Sequence, residues 1–176
     1  MDRRRLRTTI GVALLCALPW TVSARDEAKG DGPEPAVSAL WRAMSHAPGE
    51  RADLGALRRL FHPQAVVFGS RDRQGTASLR RIEIHDFLAS FEAVGTDGFH
   101  ECEIARSVRT HDRFATVYSV VESRTDPAAT KADFAGANSL QLYRDDEGWK
   151  ILSLYYHVDS ESPPIAHTAA GDGCLP

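Results

Sequence analysis

Apolar residues recur along this chain in two periods, and the change of period marks where helices give way to strands. In "AVSALWRAMSHA", Val37, Leu40, Trp41 and Met44 fall at helical spacing, and "PGE" ends the stripe. Asp53 predicts the N-cap of a shorter second helix that carries Leu54, Leu57, Leu60 and Phe61 on one face. His62-Pro63 stops it, because the residue before a proline is pushed out of the α region. "AVVFGS" (65–70) is β-branched and compact, a buried strand. "RDRQGTAS" reads as a polar loop and "LRRIEI" as a short alternating strand. "IHDFLASFEAV" returns to helical spacing with Ile84, Phe87, Leu88 and Phe91. Beyond it the period is two: strands are predicted over 99–109, 114–125, 134–144 and 148–159. The turns "THDR", "DPAATKAD" and "DDEG" separate them into an antiparallel meander. Helices and strands are segregated, which is the α+β pattern.

The 176 residues suit one domain, but the first 24 read as a leader. "MDRRRLR" is a basic n-region, "TTIGVALLCALPW" an apolar h-region, and Val22 and Ala24 are the small residues at −3 and −1. This predicts a secretory signal cleaved after Ala24 and an exported, periplasmic or secreted protein. The apolar run is too short to span a bilayer, which needs about 20 residues. Residues 25–35 read as a disordered linker, 36–159 as the folded domain and 160–176 as a disordered tail. Loss of the leader removes a net +3 and takes the formal charge from −3 to −6. With no basic stretch left, nucleic acid and anionic membrane are not expected partners. Cys16 leaves with the leader. Cys102 and Cys174 then either form a disulfide that ties down the tail, or remain a buried and a free thiol.

Three segments carry a family resemblance: "LRRLFHPQAVVFGS", "RRIEIHDFLASF" and "NSLQLYRDDEGWKILSLYYHV". Over about residues 36–158 the chain resembles the NTF2-like superfamily, and within it the SnoaL-like group. The resemblance implies an NTF2-like (cystatin-like) cone, in which three N-terminal helices pack on a strongly bent, mostly antiparallel sheet. It also implies a pocket for a small apolar molecule and a homodimer through the sheet. Functions in this superfamily range from isomerases and dehydratases to binding modules, so the fold alone does not choose among them.

The candidate chemistry lies in the meander. A four-residue "DDEG" loop would set Arg144 opposite Trp149, Leu142 opposite Ile151, Leu140 opposite Ser153, Asn138 opposite Tyr155 and Gly136 opposite His157. One face then has an apolar floor that includes Trp149, and a polar mouth of Ser153, Asn138, Tyr155 and His157, with Tyr156 pointing away. On this register His157 is the candidate acid or base and Tyr155 the oxyanion donor, while Asn138 orients a ligand carbonyl. An ordinary strand-end histidine is the competing reading. Trp41 belongs to the core stripe by spacing, but the resemblance implies that the first helix lines the cone, which adds Trp41 to the ligand-binding set. With His111-Asp112 as a two-residue turn, Glu101 falls opposite Glu122 and Glu103 opposite Val120. Arg124 is then the nearby cation, and a solvated sheet face is the plain alternative. Two carboxylates held close in a dry site would give one of them a raised pKa, so a carboxylate of the Glu101, Glu103 and Glu122 set is the alternative to His157 as proton carrier; Glu122 joins the catalytic set and Glu103 and Arg124 the ligand-binding set. HExxH, paired CxxC, GxSxG, P-loop and GxGxxG patterns are absent from the sequence, and neither a metal nor a cofactor is expected. The functional expectation is a small-molecule pocket. Its two versions are a cofactor-independent isomerase or dehydratase, and a non-catalytic binding or dimerisation module.

Overall fold

A computed structural model describes residues 32–73, 76–159 and 173–176. The expected leader, most of the expected linker and residues 160–172 lie outside the described residues. Among the described residues, no helix is long and apolar enough to cross a membrane.

Helix α1 (Glu34–Met44) starts with a proline in its first turn, where a missing N–H has no helical partner to lose. Residues 34 and 35 therefore belong to the helix and not to a linker. Val37, Leu40, Trp41 and Met44 are its buried stripe, as the spacing predicts. Asp53 caps α2 (Leu54–Leu60) by accepting from the Ala56 N–H at 2.8 Å. Phe61 is already extended and starts the first strand, yet it is 3 % exposed and stays in the core. Helix α3 (Ile84–Ala89) is shorter than its apolar pattern. The Ser90 hydroxyl bonds the Phe87 carbonyl at 2.6 Å, and the chain then leaves the helical path. Phe87 packs edge-on against both Phe61 and Phe91, which anchors this helix to β1.

The strands are β1 (Phe61–Arg73), β2 (Thr76–Glu83), β3 (His100–His111), β4 (Phe114–Arg124), β5 (Phe134–Asp145) and β6 (Gly148–Asp159). They form one sheet in the order β2-β1-β6-β5-β4-β3. The meander β3 to β6 is antiparallel as expected. The sheet as a whole is mixed, because the first strand lies parallel to the last. Two expectations are corrected here. The three helices are not all N-terminal to the sheet, since α3 follows β2. Most of "RDRQGTAS" is strand and not loop, because β1 and β2 continue toward each other as a long hairpin.

The core lies between the helices and the inner sheet face, with Leu40, Leu57, Val67, Leu140, Leu142, Ile151 and Leu154 essentially inaccessible. Ile151 and Leu154 are three residues apart on one strand, and simple alternation would send them to opposite faces. The pairing shows the reason. Leu142 faces Ile151 but Gln141 faces Ser153, so Leu152 is an extra residue in β6. A second bulge lies in β3, where Glu103 faces Val121 and Ala105 faces Val120, leaving Ile104 over. Each bulge reverses which residues of its strand face inward.

Candidate functional site

The inner face and the helices enclose a cavity of about 420 Å³. Its walls are mainly apolar: Trp41 and Met44 from α1, Phe87 from α3, Phe99, Val121 and Leu154. Glu101, Ser123, Asn138 and Tyr156 are polar groups on the same walls. Apolar walls with few polar groups are the usual build of a small-molecule site.

Glu101 is the group that could do chemistry. It lies opposite Ser123, whose hydroxyl donates to its carboxylate at 3.1 Å. Burial raises its pKa from 4.5 to about 7, and the Ser123 hydrogen bond only partly opposes this. No lysine or arginine forms an ion pair with it among the described residues. Glu103, two residues on, also points inward, but its surroundings differ. It is 3 % exposed and accepts from Arg106 Nε at 3.0 Å, from Arg106 Nη2 and from the Ser119 hydroxyl at 2.6 Å. The bulge at Ile104 is what lets Glu103 and Arg106, three residues apart, meet on one face. The Arg106 guanidinium also reaches the Glu34 carbonyl and the Ser38 hydroxyl, so it ties α1 to β3. Glu103 is thus part of a buried structural ion pair, and of the two glutamates Glu101 is the one that lines the cavity.

Several sequence expectations are redirected by the two bulges. Asn138 faces Tyr156, not Tyr155, and both line the cavity. Tyr156 does not point away; its ring lies over Gly69, where an added Cβ would come within 2.4 Å of the phenol oxygen. His157 borders the cavity rim, but its Nδ1 lies 2.7 Å from the Ser70 hydroxyl. Ser70 also meets the Tyr155 hydroxyl at 2.7 Å, and Tyr155 is 39 % exposed. Register pairs Ser70 with His157 and Phe68 with Tyr155, which places this cluster on the outer face. Ser153 faces outward as well and bonds the Gln141 side chain at 3.2 Å. Trp149 lies near the far end of the sheet with the Arg144 guanidinium 5.8 Å from its ring centre. Glu122 faces Cys102 instead of Glu101 and pairs with Arg124 Nη2 at 2.5 Å; Arg124 Nε also bonds the Ala129 carbonyl. Of the residues singled out in the sequence, the cavity holds Trp41, Glu101 and Asn138, with His157 at its border.

Trp41 contributes one further feature. Its indole N–H is buried and has no acceptor among the described residues. Asn138 Nδ2 makes only long contacts, 3.4 Å to the Ser119 carbonyl and 3.5 Å to that of Gly136. Among the described residues, no cluster of three His, Cys, Asp or Glu side chains could hold a metal ion.

No family model matches the chain, and no curated protein matches it. Solved structures do. A protein of unknown function with a cystatin-like fold from Nostoc punctiforme is 11 % identical, with TM-score 0.54, over 75 % of this chain and 92 % of its own. An NTF2-like protein of unknown function from Shewanella baltica is 19 % identical, with TM-score 0.51, over 73 % and 94 %. An NTF2-like protein from Cytophaga hutchinsonii is 12 % identical, with TM-score 0.51, over 72 % and 91 %.

Proposed function

Starting from the NTF2-like, cystatin-like fold that these likenesses establish, we propose that the cavity binds a small, largely apolar molecule and that Glu101 moves a proton on it. The observation that carries the reading is a buried carboxyl, without an ion-pair partner among the described residues, in a largely apolar cavity. With a pKa of about 7, Glu101 is close to half ionised at neutral pH and can both take and return a proton. The reaction that fits is isomerisation of a β,γ-unsaturated ketone. The Glu101 carboxylate removes a proton from the carbon between the carbonyl and the double bond, and the electron pair moves onto the carbonyl oxygen to give a dienolate. The oxygen's electron pair then re-forms the carbonyl, the double bond moves next to it, and the same carboxyl returns the proton to the γ carbon. The indole N–H of Trp41 and the Asn138 amide are the donors nearest in kind to what the intermediate oxyanion needs.

The test is solvent-deuterium exchange. The protein is incubated in deuterated buffer with a panel of apolar ketones, and label uptake is read by mass spectrometry between pH 5 and 9. Uptake should follow a carboxyl midpoint near 7. If small molecules copurify and bind but no ketone exchanges at any pH, the cavity belongs to a binding module and the reaction is withdrawn.

Two further expectations accompany this reading. Export after cleavage at Ala24 is supported by the leader pattern and by the disulfide, since such bonds persist in oxidising compartments. A homodimer through the outer sheet face is supported by four exposed rings, those of Phe114, Tyr118, Tyr143 and Tyr155. Register sets Phe114 beside Tyr143 and carries Tyr118 through Ser139 to Tyr155, so the four share that face. Tyr118→Arg combined with Tyr155→Arg should convert the dimer to monomer in light scattering after gel filtration. A wild-type protein that is monomeric at all concentrations removes this proposal.

A further inference from the structure

Glu101 has a second neighbourhood on its far side. Glu101 and Trp41 border both the main cavity and a separate crevice of about 280 Å³. Ser38, Arg42 and Glu103 line this crevice together with Cys174, Leu175 and Pro176. β3 is the edge of the sheet, so no further strand covers it on this side. The short terminal segment takes that place and is held in three ways. Cys174 is disulfide-bonded to Cys102, 72 residues away in sequence. The Leu175 N–H donates to the Glu103 carbonyl at 2.7 Å, as an added strand would. The Ser38 hydroxyl donates to the Pro176 carbonyl.

We propose that Cys174, Leu175 and Pro176, clasped by the disulfide, form the outer wall of the crevice behind Glu101 and keep bulk water from its carboxyl on the α1 side. The consequence for catalysis rests on the function proposed above; the wall itself does not. Opening the clasp needs two electrons and two protons. A dithiol supplies both, becomes its own disulfide, and leaves Cys102 and Cys174 as thiols. The wall can then leave, and water reaches Glu101 from behind. Desolvation is the main cause of the raised pKa of Glu101, so hydration lowers it. The other charged groups bordering the two spaces are Arg42 on α1, Arg80 on β2, Asp86 on α3, Glu103 on β3 and His157 on β6. None of them forms an ion pair with Glu101 among the described residues, so they leave solvent access as the variable.

The experiment titrates Glu101 by its carboxyl infrared band, assigned by subtracting the spectrum of Glu101→Gln. Oxidised protein is compared with protein reduced by dithiothreitol, and thiol alkylation with mass spectrometry verifies the redox state. The midpoint should fall from near 7 toward 4.5 on reduction. Deletion of Leu175 and Pro176, which keeps the disulfide, should give a smaller fall in the same direction. Amide NMR spectra show whether each form remains folded. An unmoved midpoint in reduced, folded protein overturns the proposal. So does unfolding of both altered forms, because the segment would then be a stability element and not a wall. A midpoint that falls in a protein with no ketone exchange keeps the wall and removes the reaction. Exchange with an unmoved midpoint does the reverse.

Discussion

Glu103→Ala should unfold at a temperature lower by roughly 10 °C or more, a loss of about 3–5 kcal/mol. The substitution touches no wall of the main cavity. It takes away the acceptor for two Arg106 nitrogens and for the Ser119 hydroxyl, all of them poorly accessible to water. A guanidinium left buried without its counter-charge bears the full cost of desolvation, which is why removing one partner is worse than never having had the pair. The damage also spreads, since Arg106 is what bonds the Glu34 carbonyl and the Ser38 hydroxyl and so holds α1 against β3. The control replaces both charges, Glu103→Leu with Arg106→Met. If the orphaned charge is the cause, this double variant should recover most of the lost stability in thermal melts. Equal losses in the single and double variants would assign the effect to packing and contradict the electrostatic account.

Much of the fold was legible in the sequence because amphipathic elements must repeat their apolar residues at the period of their geometry. The α1 stripe, the Asp53 cap and the ends of β4, β5 and β6 were all within a residue or two of the structure. The candidate site was far less legible, and the reason is local. A bulge adds one residue without changing composition or alternation enough to be noticed, yet it reverses every face beyond it. Leu152 did this to β6, turning Tyr156 inward and Tyr155 and His157 outward. In β3 two displacements partly cancelled. The turn is Asp112-Arg113, one residue later than expected, with Asp112 in the left-handed region at φ 51°. That moves the pairing by two, and the Ile104 bulge takes one back, so Glu101 meets Ser123 in place of Glu122. The apolar pair Ile151 and Leu154, three apart in a strand, was the signal that could have revealed the first bulge. The parallel pairing of β1 with β6 joins segments more than 80 residues apart, and short-range pattern does not encode it.

Glu101→Gln should abolish proton transfer while making the protein more stable at alkaline pH, and the two effects have one cause. Glutamine keeps an oxygen to accept the Ser123 hydroxyl and matches the protonated acid in shape and charge. It cannot take a proton, so exchange into a ketone probe should fall by roughly 10²–10⁴-fold. The stability effect follows from the direction of the pKa shift. Glu101 titrates near 4.5 when unfolded and about 7 when folded, so the native state holds its proton more tightly. The stabilisation this provides is complete below pH 4.5 and is lost as pH rises through 7. A shift of this size corresponds to about 3 kcal/mol. Wild-type protein should therefore lose about that much between pH 4.5 and 8, from this group alone, and Glu101→Gln should not. Melts of the two proteins should agree at pH 4.5 and diverge by several degrees at pH 8, with the variant higher. A variant that loses exchange but melts in parallel with wild type across this range would mean that Glu101 is hydrated in the native state. A variant that diverges in stability but keeps exchange would place the proton-transferring group elsewhere in the cavity. Only the joint result, inactive and more stable at pH 8, identifies a carboxyl kept dry for its chemistry at the expense of the fold.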